Sequence, residues 1–202
     1  MAKSKYYVVW AGRKPGIYES WAECAEQVEG FAGAKYKSFA SQTQAKEAFD
    51  MGWSRYSRAP HALSLPPEVI ADSISVDAAC DGSPGSLEYR GVKTGTGKEL
   101  FYQGPFENGT NNLGEFLAIV HALALLQKEG QPSPVYSDSR TALKWVRQKK
   151  VLSKLSRTEA TAEVWALADR ALAWLKNNTY PNDLIEWNTR AWGEIRADFG
   201  RK

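Results

Sequence analysis

Apolar and polar positions alternate in two registers along this chain, and the switch between them sets its elements. Near the N-terminus, Tyr6–Trp10 is a run of aromatic and β-branched residues and predicts a strand. A Gly/Pro turn follows over residues 11–16, and Ile17-Tyr18 reads as the returning strand. Ser20 with Glu23 forms a capping-box pattern that starts a helix, with Gly30 as its stop. Lys35–Phe39 predicts a third strand, and Ser41 with Gln44 starts a second helix through Phe49. Three strands and two helices make a small α/β unit. Residues 54–70, with Pro60, Pro66 and Pro67, lose all periodicity and read as a linker.

From Asp72 a second pattern begins. Ile74–Ala78, Leu87–Val92 and Glu99–Phe106 read as strands of an antiparallel meander, with a tight turn over residues 81–85. Thr110 or Asn111 caps a long helix that is apolar on most sides through Leu126. Pro134–Ser137 is a short strand, Ser139 caps a helix through Gln148, and Thr158–Lys176 has helical spacing of Val164, Trp165, Leu167, Ala168, Leu172 and Leu175. Leu184–Trp187 is the last strand, and Thr189 caps a final helix carrying Glu194 and Asp198 on one face. The order β-β-β-α-β-α-α-β-α predicts a mixed sheet with helices on both faces.

Composition adds bounds. At 202 residues, 43% hydrophobic and 24% charged, the chain suits one mid-sized domain and a small one. No run is long enough for a membrane span, and the first residues lack a signal-peptide core. The two cysteines, Cys24 and Cys80, have no metal-ligand spacing, which fits a reducing cytoplasm. The net charge of +3 comes from residues 1–60, with nine Lys/Arg against six Asp/Glu; the remainder holds seventeen of each. Lys144, Arg147, Lys149, Lys150, Lys154 and Arg157 make a local basic run, which suits either a solvated face or phosphate contact. In the small unit, Tyr7, Trp21 and Tyr36 accompany Lys35 and Lys37. Such a set either fills a small core or stacks on bases and sugars while lysines hold phosphates.

The candidate chemistry is acidic. Glu115 stands one turn into the apolar helix, where a lone carboxylate is costly unless accompanied. Asp77 lies on the first strand of the second unit, Asp138 follows its fourth, and Asp198 with Glu194 lies near the C-terminus. Singly, these acids also suit a strand end, a helix cap or a solvent-facing position. Converging, they titrate as a coupled set, and divalent cations resolve their repulsion. Oxygen ligands without Cys or His select Mg²⁺ or Mn²⁺ over Zn²⁺. Two such ions make the clamp for in-line displacement at phosphate.

The contexts of these acids carry a resemblance. Ser75-Val76-Asp77 with Gly82-Ser83-Pro84-Gly85, Gly109-Thr110-Asn111-Asn112-Leu113-Gly114-Glu115, Tyr136-Ser137-Asp138-Ser139, and the run Trp192 to Lys202 together resemble the bacterial type-1 ribonucleases H. The match is to the group without a basic protrusion and covers about residues 72–202. Residues 5–50 resemble the hybrid-binding, viroplasmin-like domain that precedes many such enzymes, through Gly12-Arg13-Lys14-x-Gly16, Trp21-x-Glu23-Cys24 and Lys35-Tyr36-Lys37-x-Phe39.

The resemblance implies a ribonuclease H-like five-stranded mixed sheet flanked by helices, after a small α/β domain. Its boundaries are 1–53 for hybrid binding, 54–70 for the linker and 71–202 for catalysis. It implies endonucleolytic hydrolysis of the RNA strand of RNA·DNA hybrids to 5′-phosphate and 3′-hydroxyl ends, in primer and R-loop removal. Two Mg²⁺ ions, replaceable by Mn²⁺, are implied on Asp77, Glu115, Asp138 and Asp198, with Glu194 aiding product release. Gly82, Ser83, Asn111, Glu115 and Arg140 match positions that read the RNA strand. Thr110, Asn112, Trp145, Ser153 and Thr189 match contacts to the DNA strand. Tyr7, Trp21, Tyr36 and Lys37 match the hybrid-binding positions of the N-terminal domain, for which double-stranded RNA is a further ligand. A monomer in the cytoplasm, away from membranes, completes the expectation. Ser83, Arg140, Lys154 and Ser38 depart from frequent family residues, at substrate contacts and not at the carboxylates.

Overall fold

A computed structural model describes residues 5–57 and 64–200. The chain divides into two compact units, residues 1–69 with 188–193, and residues 70–187 with 194–202.

The first unit is a three-stranded antiparallel sheet in the order β2-β1-β3, from β1 (Tyr6–Ala11), β2 (Gly16–Tyr18) and β3 (Lys35–Phe39). Successive residues of the central strand point to opposite faces, yet Val8 and Val9 are both fully buried. Each face therefore needs its own cover. Helix α1 (Trp21–Val28) brings Cys24 and Val28 to Val9. Helix α2 (Gln42–Met51) brings Ala45 and Ala48 to the side of Val8 and Phe39. The predicted capping box is present: Ser20 Oγ accepts from the Glu23 amide, and Glu23 Oε2 accepts from the Ser20 amide. At α2 only half the pattern forms. Ser41 Oγ accepts from the Gln44 amide, while the Gln44 side chain donates to the Ser64 carbonyl instead.

The stretch read as linker from Ser54 onward begins differently from expectation. Gly52, at φ 75°, ends α2 and turns the chain into a one-turn helix, α3 (Trp53–Tyr56). Tyr56 is buried and stacks on Trp10 at 4.9 Å. The need to cover Trp10 overrides the weak periodicity of this segment. The unit thus has three helices around its sheet where two are expected. Residues 58–63, with His61, lie outside the described residues.

The second unit is a five-stranded mixed sheet in the order β6-β5-β4-β7-β8, as expected. Strands β4 (Ile74–Gly82), β5 (Gly85–Lys93) and β6 (Glu99–Gly109) are antiparallel, while β7 (Val135–Ser137) and β8 (Leu184–Glu186) continue the sheet in parallel from β4. β4 runs four residues past its predicted end, because Gly82 pairs directly with Gly85 and leaves only Ser83-Pro84 as the turn.

Helices α4 (Asn111–Glu129), α5 (Arg140–Gln148) and α6 (Ala162–Asn177) share one core with Ile74, Val76, Ala78, Leu87 and Tyr89. These alternate residues of β4 and β5 belong to one sheet face. The predicted helices on both faces are therefore not found in this unit: its long helices share one side. The final helix is also shorter than predicted. α7 (Thr189–Trp192) is capped by Asn188, not Thr189, and Gly193 at φ 77° stops it. Glu194 and Asp198 consequently lie in irregular chain and share no helix face. Among the described residues, no helix is long and apolar enough to cross a membrane.

Gly114 sets how closely α4 approaches the sheet. A Cβ there would stand 2.4 Å from Leu87 Cδ1 and 2.8 Å from Ala78 Cβ. Gly114→Ala is expected to destabilise the unit by about 1–3 kcal/mol, although alanine is the better helix former. Denaturant unfolding measures this; an unchanged or raised midpoint would show that the contact yields freely.

Candidate functional site

Strand pairing brings the first two acids together. β4 and β7 are parallel neighbours with Ser75 opposite Tyr136. Two residues further along each strand come Asp77 and Asp138, at the same end of the sheet. α4 crosses β4 at Gly114, so the next residue, Glu115, is delivered to that end as well. The result is a trio in which one oxygen each of Asp77, Glu115 and Asp138 lies within 4.8 Å of the others. The cleft around it measures about 740 Å³, and Asn111, Ser139, Cys80, Asp198 and Phe199 also line it.

The electrostatics of the trio are unfavourable as they stand. Burial, then Asp138 and Asp198, push the Asp77 carboxyl up to about 7, against the opposing effect of its hydrogen bond with Glu115. Glu115 is held well above the usual carboxylate range, first by burial, then by Asp77 and Asp138. Its Oε1 meets Asn111 Nδ2 at only 3.5 Å, and its Oε2 is buried with no hydrogen-bond partner. Such an orphaned anionic oxygen is costly. A hard cation satisfies it, so this all-oxygen set fits Mg²⁺ or Mn²⁺.

Asp198 lines the same cleft but stands outside the close trio. Its carboxylate accepts from the Gly200 amide at 3.1 Å. The next residue, Phe199, donates its amide to Asp77 Oδ2 at 3.2 Å, which ties this segment to the central strand. Arg90, opposite Asp77 on β5, donates to the carbonyls of Ala197 and Asp198 at 2.8 and 2.6 Å. Arg90 is a residue that sequence reading passed over; Glu88 and Lys93 are charged in the same strand, so nothing local marks it. Glu194 is half-buried and is not part of the cleft lining.

The remaining residues singled out from the sequence are spread around this centre. Asn111 lines the cleft, while Gly82, Ser83 and Asn112 are exposed near it in sequence. Thr110 is the N-cap of α4, but its hydroxyl makes no cap hydrogen bond and is buried without a partner. Arg140 is exposed and engages Glu186 at 2.6 Å. Trp145 is buried in the core against the edge of Phe116, so most of its surface is committed to packing. Ser153 Oγ accepts from the Leu155 amide. Thr189 is exposed on α7, in the first unit.

In the first unit, Trp21 stands between Tyr7 and Tyr36, 5.8 Å from each ring. Trp21 is 45% exposed and Tyr36 43%, more than core packing requires. Lys37 does not join them. Strand alternation turns it to the opposite face, where its ammonium lies 6.0 Å from the Tyr56 ring, as Lys35 lies 5.6 Å from Trp53.

Residues 5–49 match the family profile described as the ribonuclease H1 N-terminal domain. The chain is 52% identical over 44 residues to a ribonuclease H of Crithidia fasciculata, covering 22% of this chain and 9% of that protein. It is 46% identical over 55 residues to a ribonuclease H of Schizosaccharomyces pombe, covering 27% of this chain and 21% of the relative. The transactivator/viroplasmin protein of cauliflower mosaic virus is 40% identical over 48 residues, 24% of this chain and 9% of that protein. The chain thus spans 9% and 21% of the length of the first two of these relatives. Among solved structures, LC11-RNase H1 in complex with an RNA/DNA hybrid aligns with 56% of this chain and 83% of its own, at 22% identity and a TM-score of 0.37. The N-terminal RNase H domain of a Mycobacterium tuberculosis protein aligns with 59% of this chain and 88% of its own, at 19% identity and the same TM-score of 0.37.

The raised Asp77 carboxyl makes a pH prediction for the metal-free protein. The folded state keeps a proton that the unfolded chain releases near pH 4, so between there and about 7 the folded state binds more protons. Stability in EDTA is therefore expected to fall as pH rises through this window. Asp77→Asn flattens the fall and raises the melting temperature at pH 7.5. Thermal scans at pH 5 and pH 7.5 check it; higher stability at pH 7.5 in EDTA contradicts the assigned strain.

Proposed function

We propose that this chain is a type-1 ribonuclease H of the bacterial kind, which hydrolyses the RNA strand of RNA·DNA hybrids through metal-ion catalysis. The observation that carries this reading is the trio Asp77, Glu115 and Asp138, held within 4.8 Å with a buried, unpartnered oxygen on Glu115. The family match of residues 5–49 supports it, since that profile describes a ribonuclease H1 domain.

Asp77, Glu115, Asp138 and Asp198 would hold two Mg²⁺ ions, with Mn²⁺ as a substitute. The chemistry such ions would supply is activation of a water and stabilisation of the leaving 3′-oxygen. The chain's own residues do the rest. Asp77 lies on the central strand of the sheet. The Phe199 amide holds one oxygen of Asp77 in place. Asn111 and Glu115, at the start of α4, face the RNA strand, whose 2′-hydroxyl distinguishes it from DNA. Gly82, Ser83 and Arg140 extend that contact, and Thr110, Asn112, Ser153 and Thr189 with Trp145 receive the DNA strand. Glu194 assists product release. The first unit would bind the hybrid through Tyr7, Trp21 and Tyr36, with Lys37 reaching phosphate from the opposite face of the sheet, and would accept double-stranded RNA as well. Tethering this module raises the local concentration of hybrid at the carboxylates. The protein would act as a monomer in the cytoplasm, on replication primers and R-loops.

The decisive assay uses strand-labelled hybrid, duplex DNA and duplex RNA with Mg²⁺ or EDTA. Cutting is expected only in the RNA strand of the hybrid, only with metal, leaving 5′-phosphate ends. Asp138→Asn is expected to lower the rate roughly 100-fold or more. Cutting of a DNA strand, or cutting in EDTA, would sink the reading. For the first unit, Trp21→Ala is expected to weaken hybrid binding roughly tenfold; unchanged affinity in a binding titration would remove the aromatic trio from substrate contact.

A further inference from the structure

The residue that brings Asp198 to the centre has no carboxylate of its own. We propose that Arg90 is a positioning residue for the fourth acid, acting through the backbone of residues 197–199. The proposal rests on the reading that Asp198 is a metal ligand.

A carboxylate carried on a helix is aimed by the helix. Asp198 has no such support, because α7 stops at Trp192 and the chain beyond Gly193 is irregular. Irregular chain is ordinarily the least precise platform for a ligand. Here it is clamped from the sheet. The Arg90 guanidinium donates Nε to the Ala197 carbonyl at 2.8 Å and Nη2 to the Asp198 carbonyl at 2.6 Å. Its planar face lies 4.7 Å from the Phe199 ring centroid, and Tyr102 flanks that ring at 6.5 Å. One side chain therefore fixes three consecutive residues. The third of them donates its amide to Asp77.

The charge of Arg90 is not spent on the acids it arranges. Its ion pair is with Glu99, at a long 3.8 Å. The influences on Asp77 are burial and the neighbouring acids, with hydrogen bonds from Glu115 and its own strand. An arginine directed at the carboxylates would compete with cations for them; one directed at the carbonyls holds the segment and leaves the carboxylates to metal. Lysine, with a single point of attachment, would reproduce at most part of this clamp. Register makes the placement possible, since Arg90 stands directly opposite Asp77 in the β4–β5 ladder. The distance from the central acid to the clamp is thus fixed by sheet geometry.

The test compares the full chain with Arg90→Gln and Arg90→Lys. Binding of Mn²⁺ is measured by calorimetry, and hybrid cleavage is measured across a Mg²⁺ titration with KM for hybrid read at saturating metal. Arg90→Gln is expected to weaken Mn²⁺ binding and raise the Mg²⁺ half-saturation roughly tenfold. KM for hybrid stays near that of the parent, and Arg90→Lys falls between the two. A purely structural role would lower melting temperature without moving metal affinity in the folded protein. Wild-type metal affinity in Arg90→Gln overturns the proposal. If that variant does not fold, wild-type metal affinity in Arg90→Lys overturns it equally. Absence of hybrid cleavage by the parent chain refutes the proposed function, and the calorimetric comparison still decides the role of Arg90.

Discussion

Everything at the centre of the second unit depends on holding like charges together. Asp77, Glu115 and Asp138 are brought within 4.8 Å, two of them buried, in surroundings that disfavour even one ionised group. The trio cannot hold itself in place, so the scaffold must. It does so with a central strand hydrogen-bonded on both sides, a nineteen-residue helix with eleven buried positions, and a glycine that lets the two approach. The apolar core around α4 opposes a local strain that would otherwise spread the acids apart. A cation would relieve that strain, so affinity for metal and tension among the acids are one quantity viewed from two sides.

The first unit solves a different problem. A sheet of three short strands has little apolar surface to bury, and both its faces require cover. α1 takes one face, and α2 with α3 takes the other. The second cluster consumes Trp10, Phe39, Trp53 and Tyr56. With the core already supplied, Trp21 and Tyr36 remain half exposed, which is the physical ground for assigning them to a partner.

Much of this was legible in the sequence because it depends on local pattern. The strand alternation at Ile74–Ala78, the apolar helix after Thr110 and the acid inside it follow from short windows. So did the expectation that Asp77, Glu115 and Asp138 meet, once their contexts were recognised. What was not legible depends on long-range fit. Nothing near Ser54 signals that Trp53 and Tyr56 must cover Trp10. The pattern around Trp192–Asp198 suits a helix, yet Gly193 adopts a positive φ and the helix ends. Lys37 adjoins Tyr36 in sequence, but neighbouring strand positions face opposite ways. Arg90 had no local signal at all, because its partners lie 107 and 108 positions away.

That separation has a consequence for the chain as it is made. Synthesis proceeds from the N-terminus, and domains fold largely as units as they emerge. The aromatic surface of the first unit is complete once about residue 57 is available, and the close trio of acids once Asp138 has paired its strand. Asp198 and the carbonyls that Arg90 grips arrive some sixty positions after Asp138 in the sequence. A nascent chain therefore acquires the surface assigned to substrate contact well before its last acid. For a polypeptide made beside messenger RNA, that order keeps the centre incomplete until Asp198 has emerged.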